Sequence, residues 1–480
     1  MSFVSPEFLL FFPLVVGAFY ALPHAARPWF LLGASYAFYA FWRVEYLGLI
    51  LVSTAVDWAA ARGIESAASG GRRRLWLGLS LLCNLGLLGF FKYWNFAASS
   101  GAACLRALGV EAEAPLVEGL LLPVGISFYT FQSLGYTIDV YRREIAAERS
   151  FARVALYVAY FPQLVAGPIE RAGRLLPQLA SRVSFDEARV VRGLRRMAWG
   201  FFLKLVLADR LFLYVRHVDS LAAPTPTGEL WGLWAYAYAI FADFVAYTAI
   251  ARGAALVLGV ELSENFRRPL WAPSMAEFWR RWHISLTSWI RDYVYRPLGG
   301  SRRGAGRWVA HVLLVFLLCG LWHGADVRWA CFGLIHAVYL IVGRWTRPWR
   351  ERLWSGLGAE GLARPRRLVA GFCTFQLFAL SLLPVRSASW GEGLASLQAL
   401  ALGWEPRLPA ALLASKIELG LLLLGVGALE LAQVGERRGG VQAALGGWPW
   451  PLRWVADYLL VATTVLLGVY EAQEFYYFQF

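Results

Sequence analysis

VLLVFLLCGLWHGADVRW, residues 312–329, is the stretch whose reading decides the fold. Its first eight residues are apolar throughout and read as the interior of a membrane helix. GLWHG then sets His323 at the end of that run, with Asp326 and Arg328 close behind. An ionisable group at the rim of a span is costly unless it faces a cavity or a partner, so His323 is a candidate functional residue. Similar apolar blocks recur along the 480 residues, which are 58% hydrophobic and only 16% charged, with a mean hydropathy of +0.49. A soluble chain carries nearer a quarter charged residues. The fold class is therefore an all-α polytopic membrane protein.

Each crossing needs about 20 apolar residues. Candidate spans lie at 6–22, 28–42, 46–63, 74–98, 115–138, 151–168, 197–215, 229–260, 308–323, 328–345, 368–385, 410–432 and 454–471. Some are short or polar, so 10–13 crossings are expected, and 229–260 could be one long helix or two short ones. The N-terminal run lacks a basic n-region and a cleavage site, and reads as a first span. The net charge of +14 is almost all arginine, since lysine occurs only at 92, 204 and 416. The arginines cluster in loops, at 72–74, 142–143, 171–196, 267–307, 344–367 and 437–438. That pattern orients loops toward the cytoplasm; with 267–307 there, an odd number of crossings puts the N-terminus outside. Attraction to anionic lipid is a secondary use of the charge, and no soluble domain is present to bind nucleic acid.

The five cysteines have no CxxC spacing and suggest neither a disulfide framework nor a metal site. Among six histidines, His24 and His217 fall at loop or helix ends, and His311 and His336 sit in apolar helices, where a satisfied core histidine is expected. No third ligand stands at metal spacing beside His283 or His323, and no nucleophile-elbow serine suggests a hydrolytic triad.

The most informative stretch is APSMAEFWRRWHISLTSWIRDYVYRPLGG, residues 272–300. Ser274 followed by Glu277 predicts a capping box and a helix start. Phe278, Trp282, Leu286, Trp289 and Tyr293 recur at helical spacing as one apolar face. Arg280, His283, Thr287 and Arg291 form a polar stripe, and Arg281, Ser285, Ser288 and Asp292 a second beside it. Too charged to span, the segment reads as one amphipathic helix lying in or dipping into the interface, closed by Pro297-Leu-Gly-Gly. A histidine flanked by hydroxyls and an Arg/Asp set exceeds what a plain anchor needs. His283 and His323, forty residues apart, could flank one site, and a histidine can act as a base near neutral pH.

EFWRRWHISLTSWIRDYVYRPLGG (277–300) followed by GLWHGA (320–325) closely resembles the membrane-bound O-acyltransferase family, in its bacterial alginate O-acetyltransferase branch. The D-alanyl transferases of teichoic acids are similar at greater distance. LPVGISFYTFQSLGYTIDVYR (122–142), YFPQLVAGPIER (160–171), NFRRPL (265–270) and FYYFQF (475–480) agree with it. The resemblance implies one membrane domain over 1–480, with helices ringing a thinned centre crossed by a tunnel, and interfacial helices beside them; 265–324 is the signature segment. It implies that His323 is the catalytic histidine and His283 its companion. Trp279, Trp282, Arg281, Arg291, Asp292, Tyr247, Gln163 and Trp322 are the residues expected to line the tunnel or meet substrate.

The implied activity moves an acyl group, in this branch acetyl, from a cytoplasmic thioester (acetyl-CoA or a carrier-bound acyl group) to a hydroxyl of a secreted or cell-surface polysaccharide. It implies no permanent cofactor or metal, a location in the bacterial inner membrane, and a periplasmic or extracellular partner protein that completes transfer. Other acceptors in the class are a lipid, peptidoglycan or a teichoic acid. A tunnel-type transporter, or a subunit whose partner does the chemistry, are the readings outside it. One departure stands out: FVAYTAIARG (244–253) replaces a pattern close to FSGYTDIAIG, so Ala249 stands for an aspartate and Arg252 for an apolar residue. Asp243 is the nearest carboxylate that could compensate.

Overall fold

The computed structural model describes residues 1–165, 167–220, 225–302, 304–356, 363–402, 416–436, 447–470 and 475–476. Arg303, the arginines at 437–438 and the last four residues of FYYFQF lie outside the described residues. Among those described, regular structure is helical throughout. Seven helices are long and apolar enough to cross a membrane: Glu45–Ser66, Gly70–Ala107, Pro226–Val257, Ala305–His323, Val327–Trp345, Arg364–Arg386 and Lys416–Gly435. Pro6–Ala21 is a shorter apolar helix. The chain is a multi-pass membrane protein.

The described residues thus hold seven such helices where 10–13 crossings are expected: 28–42 gives a helix of only 14 residues, 197–215 is divided by a π-helical turn, and two further blocks break up. The block 115–138 yields a helix only from Ile126, because Pro115, Gly119, Pro123 and Gly125 interrupt the chain before it, and Gly119 and Gly125 adopt positive φ. The block 151–168 breaks after nine residues at Tyr160, before Pro162. The block 229–260 is one 32-residue helix, and 78% of its apolar window is buried, against 22% for Lys416–Gly435. The first is thus a core helix, whereas outward leucines such as Leu424 and Leu82 suit hydrocarbon.

The chain forms two compact units. The first, Met1–Leu194 with Ala251–Ser263, holds α1 (Pro6–Ala21), α2 (Arg27–Ala40), α3 (Glu45–Ser66), α4 (Gly70–Leu88), α5 (Trp94–Ala107), α6 (Ile126–Arg142), α7 (Phe151–Ala159), α8 (Phe161–Leu164) and α9 (Ala172–Ala180). Asp57 on α3 is fully buried and is caged by neutral donors from two neighbours. Asn84 Nδ2 of α4 reaches both of its oxygens at 3.0 Å, and the hydroxyls of Ser80 and Ser133 donate to it from α4 and α6. With the polar alternative removed by hydrocarbon, such a cluster fixes three helices in one register. Asp57→Ala is expected to lower stability by about 1–3 kcal/mol, because it strands those donors; a melting temperature equal to that of the parent in detergent would contradict this.

The second unit, Arg195–Ile250 with Glu264–Phe480, begins inside α10 (Glu187–Phe202). A π-helical turn, Leu203–Ala208, leads to α11 (Asp209–Asp219), and α12 (Pro226–Val257) contributes its length up to Ile250. Then follow α13 (Met275–Arg281), α14 (Ile284–Ile290), α15 (Ala305–His323), α16 (Val327–Trp345), α17 (Arg347–Gly356), α18 (Ala363–Ser381), α19 (Leu383–Arg386), α20 (Trp390–Leu402), α21 (Lys416–Glu436) and α22 (Trp450–Leu467). Gly200 lets α10 meet α12: a Cβ there would lie 2.7 Å from Ala246 O.

Candidate active site

The amphipathic segment starts where its cap predicts. Ser274 Oγ accepts from Glu277 N at 3.2 Å, but Glu277 turns its carboxylate to Arg280 and Arg281, so only half of the capping box forms. The single interfacial helix expected across 274–296 is not what forms. It breaks between α13 and α14 at Trp282–His283, and its aromatic face is buried in protein: Phe278, Trp279, Trp282 and Trp289 are each 5% exposed or less.

The cause of the break is tertiary. The NFRRPL strip lies alongside and takes over the backbone groups that the break orphans. Ile284 N donates to Asn265 O at 3.0 Å, Ser285 N to Asn265 Oδ1 at 3.2 Å, and Arg267 N to Arg281 O at 3.0 Å. His283 itself sits at φ 43°, ψ 54°, the left-handed region, which a residue with a β-carbon enters at a cost of about 1–3 kcal/mol. A kink held there by the surrounding structure turns the imidazole into the interior, where it is fully buried. Burial, and after it the charge of His323, hold His283 well below its ordinary pKa of 6.5, so the ring is neutral.

His323 closes α15, and glycines shape the hairpin around it. A Cβ on Gly320 would lie 2.2 Å from Trp329 O, one on Gly333 2.1 Å from Phe316 O, and one on Gly324 2.1 Å from the Trp329 ring. The backbones of α15 and α16 therefore touch, and Trp329 lies flat on His323 with ring centroids 5.3 Å apart and 26° between planes. Asp326 caps α16, accepting from Arg328 N at 2.7 Å, and its carboxylate pairs with the Arg328 guanidinium, which also reaches Ser387 O at 3.0 Å. Those two residues anchor the loop. The indole of Trp322 meets both histidines, with centroids 5.7 Å from His283 and 5.0 Å from His323. His323 is only 4% exposed.

His336 is the satisfied core histidine its surroundings predict. Trp279 Nε1, a donor only, reaches its Nδ1 at 3.3 Å, so Nε2 carries the proton and donates to Ser381 Oγ at 2.9 Å. Ser381 in turn donates to Phe378 O at 2.6 Å. His311 Nδ1 lies 3.2 Å from Gly300 O, tying α15 to the preceding turn.

The other expected site residues divide. Of the three tryptophans, Trp322 makes ring contacts with His283 and His323, whereas Trp279 meets His336, Trp282 packs on Phe278 and Phe241, and Tyr247 stacks on Phe475 at 4.2 Å. Arg281 pairs with Glu277, and Arg291 and Arg296 both pair with Asp292; Arg291 and Arg296 are each more than half exposed. Gln163 belongs to the first unit, where its amide donates to Pro168 O at 3.0 Å. Sequence reasoning passed over a buried charged group: Lys204 lies 2.7 Å from Asp209 and 2.8 Å from Asp243, all three at most 2% exposed. The signal was available, since a lone lysine in GFFLKLVLADR is an intramembrane ionisable residue. Asp243 is committed to Lys204 and to the Tyr476 amide, so it does not stand in for the carboxylate absent at Ala249.

The family model for the membrane-bound O-acyltransferases matches residues 140–356, a stretch that includes both histidines. A protein named "Probable alginate O-acetylase AlgI" from Azotobacter vinelandii is 40% identical over 349 residues, 72% of this chain and 69% of the relative. The chain belongs to this family. A peptidoglycan O-acetyltransferase from Helicobacter pylori is 32% identical over 370 residues, covering 72% of this chain and 68% of the relative. A teichoic acid D-alanyltransferase from Bacillus subtilis is 26% identical over 246 residues, 49% of this chain and 62% of the relative. This membrane-bound O-acyltransferase falls in the alginate O-acetyltransferase-like branch, and it is an enzyme of acyl transfer.

A pH effect follows from the buried imidazole. With a folded pKa far below the unfolded 6.5, the unfolded chain binds the extra proton first. The contribution of His283 is therefore fully present above pH 6.5 and is lost as pH falls below it. Asparagine tolerates the left-handed backbone and does not titrate. His283→Asn should thus lose less thermal stability between pH 6.5 and 5 than the parent; identical pH slopes would contradict the assignment.

Proposed function

We propose that this enzyme acetylates a secreted or cell-surface polysaccharide, drawing the acetyl group from a cytoplasmic thioester, acetyl-CoA or a carrier-bound equivalent. The observation that carries the reading is the pair of buried histidines, brought from separate elements to within ring-contact distance of one indole. His323 takes the proton of the acceptor hydroxyl, whose oxygen attacks the thioester carbonyl carbon. The tetrahedral oxyanion collapses, the C–S bond breaks, and the thiolate leaves with the proton that His323 returns. His283, neutral at working pH, offers an N–H toward the carbonyl oxygen; one such donor contributes about 10²–10³-fold in other acyl transfers.

Trp279, Trp282 and Trp322 would wall the passage along which donor and acceptor meet. The 40% identity to proteins named as alginate O-acetylases, against 26% over half the chain to a D-alanyltransferase, favours acetyl as the transferred group. The 32% identity to a peptidoglycan O-acetyltransferase keeps peptidoglycan as the second acceptor to be assayed. The bacterial inner membrane is the proposed location, and a periplasmic partner that completes transfer to polymer fits an acceptor beyond the membrane.

Sealed vesicles of opposite orientation test the donor side. Labelled acetyl-CoA, and separately an acetylated carrier protein, added outside inside-out vesicles should label acceptor, whereas right-side-out vesicles should give none. Equal labelling in both orientations would overturn the cytoplasmic donor. Alginate-type polymer and peptidoglycan fragments supplied in parallel identify the acceptor.

A further inference from the structure

The buried lysine lies in the same unit as His283 and is linked to it by a short run of contacts. The π-helical turn Leu203–Ala208 leaves Leu205 O free to accept Val469 N at 2.9 Å, which draws the chain just beyond α22 against that turn. Lys204 on the same turn holds Asp243 Oδ1, and the other oxygen of that carboxylate accepts Tyr476 N at 2.9 Å. Tyr476 is further fixed by a hydroxyl–hydroxyl bond to Tyr236 and by stacking on Phe212 at 5.2 Å. Its neighbour Phe475, completely buried, lies on Tyr247 at 4.2 Å and on Phe244 at 5.7 Å. Phe244 then meets the His283 imidazole edge-on, at 4.7 Å and 68°.

We propose that Lys204 is a positioning residue for His283: acting through Asp243, it anchors Phe475 and Tyr476, and they seat Phe244 against the imidazole. A buried ammonium facing two carboxylates is a poor choice for stability alone, since apolar side chains of similar volume usually do as well or better. Its use is to hold Asp243 in the one arrangement in which its carboxylate accepts the Tyr476 amide. The roles of the two carboxylates differ accordingly. Asp243 transmits the constraint to the segment, and Asp209 only balances charge. The catalytic consequence rests on the proposed role of His283, but the positioning itself does not.

Carbethoxylation of individual histidines by diethyl pyrocarbonate, followed by mass spectrometry of the full-length protein in detergent, tests the positioning without reference to activity. In the parent, His283 and His336 should both be protected. Lys204→Met and Phe475→Ala should each speed His283 modification about tenfold or more, as a local opening would. His336 is held by Trp279 and Ser381 and should stay protected, and Asp209→Asn should leave His283 as slow as in the parent. Should Lys204→Met fail to fold, Phe475→Ala, which strands no charge, carries the same test. A folded variant with His283 still protected overturns the proposal, and so does equal exposure of His336. Acyl transfer measured on the same samples separates the two readings. Exposed His283 with unchanged transfer upholds the positioning and removes His283 from the chemistry.

Discussion

His323→Ala is expected to lower acyl transfer by about 10³-fold, within the 10²–10⁴-fold range that a positioned base contributes. That corresponds to about 4 kcal/mol of barrier. The size of the effect follows from the surroundings of the ring. With Trp329 flat against one side, Trp322 nearby and only 4% of the residue exposed, little room exists for a water to take over the proton. Alanine also empties the space beneath Trp329, so the comparison needs a variant that keeps the ring volume: His323→Gln should fall as far as His323→Ala while melting closer to the parent. Polymer acetylation in cells, normalised to folded protein in the membrane, is the readout. Retention of more than a tenth of parental transfer by either folded variant would remove His323 from the chemistry. His283→Ala should lose less, since a polarising donor is aided by whatever else faces the carbonyl, whereas a base is either present or absent.

Hydropathy made the membrane class legible, because a span is a composition before it is a structure. Hydropathy also points to spans at 115–138 and 151–168 that do not form, although the residues that break them, the prolines and glycines of 115–125 and Pro162, stand in the sequence. The break at Trp282–His283 was not legible. Periodicity runs unbroken from Phe278 to Tyr293, and the bonds that stop the helix come from Asn265, whose effect lies in three dimensions and not in the local pattern. For Lys204 the limit applied to its partners and not to the residue, whose place in an apolar run was legible. Forty-six basic residues sitting mostly in loops make a further one look like orientation signal, and only the approach of α10 to α12 at Gly200 shows that this one faces Asp243. The Asp326–Arg328 pair, by contrast, was readable because it is local and sits at a helix start, and His336 was readable as a core residue from the apolar run around it, although its partners Trp279 and Ser381 are distant in sequence.

Gly320→Ala should be the most damaging change outside the histidines. Glycines in this sequence are common, and many helical ones could take a methyl group freely: at Gly306 on α15 and Gly343 on α16 nothing lies within 4 Å of where a Cβ would stand. At Gly320 the neighbour is the Trp329 carbonyl oxygen at 2.2 Å and then Gly333 N at 3.1 Å, both backbone atoms of α16. Neither can rotate away, so the two helices must separate, and the packing that small residues allow between membrane helices is lost. Overpacking of this kind costs about 1–3 kcal/mol and occasionally more. Because Trp329 moves with α16, His323 loses its stacking partner, and acyl transfer should fall with stability. Gly324→Ala separates the two effects: its clash is with the Trp329 side chain, 2.1 Å away, so the indole can swing aside. That variant should keep most of its stability and still lose activity. Gly306→Ala and Gly343→Ala should be neutral or gain about 0.5–1 kcal/mol from the stiffer backbone. Melting curves of the four variants, read beside their acetylation rates, decide the matter. A Gly320→Ala protein as stable as Gly306→Ala would mean that α15 and α16 do not touch at this point, and the placement of His323 against Trp329 would fall with it.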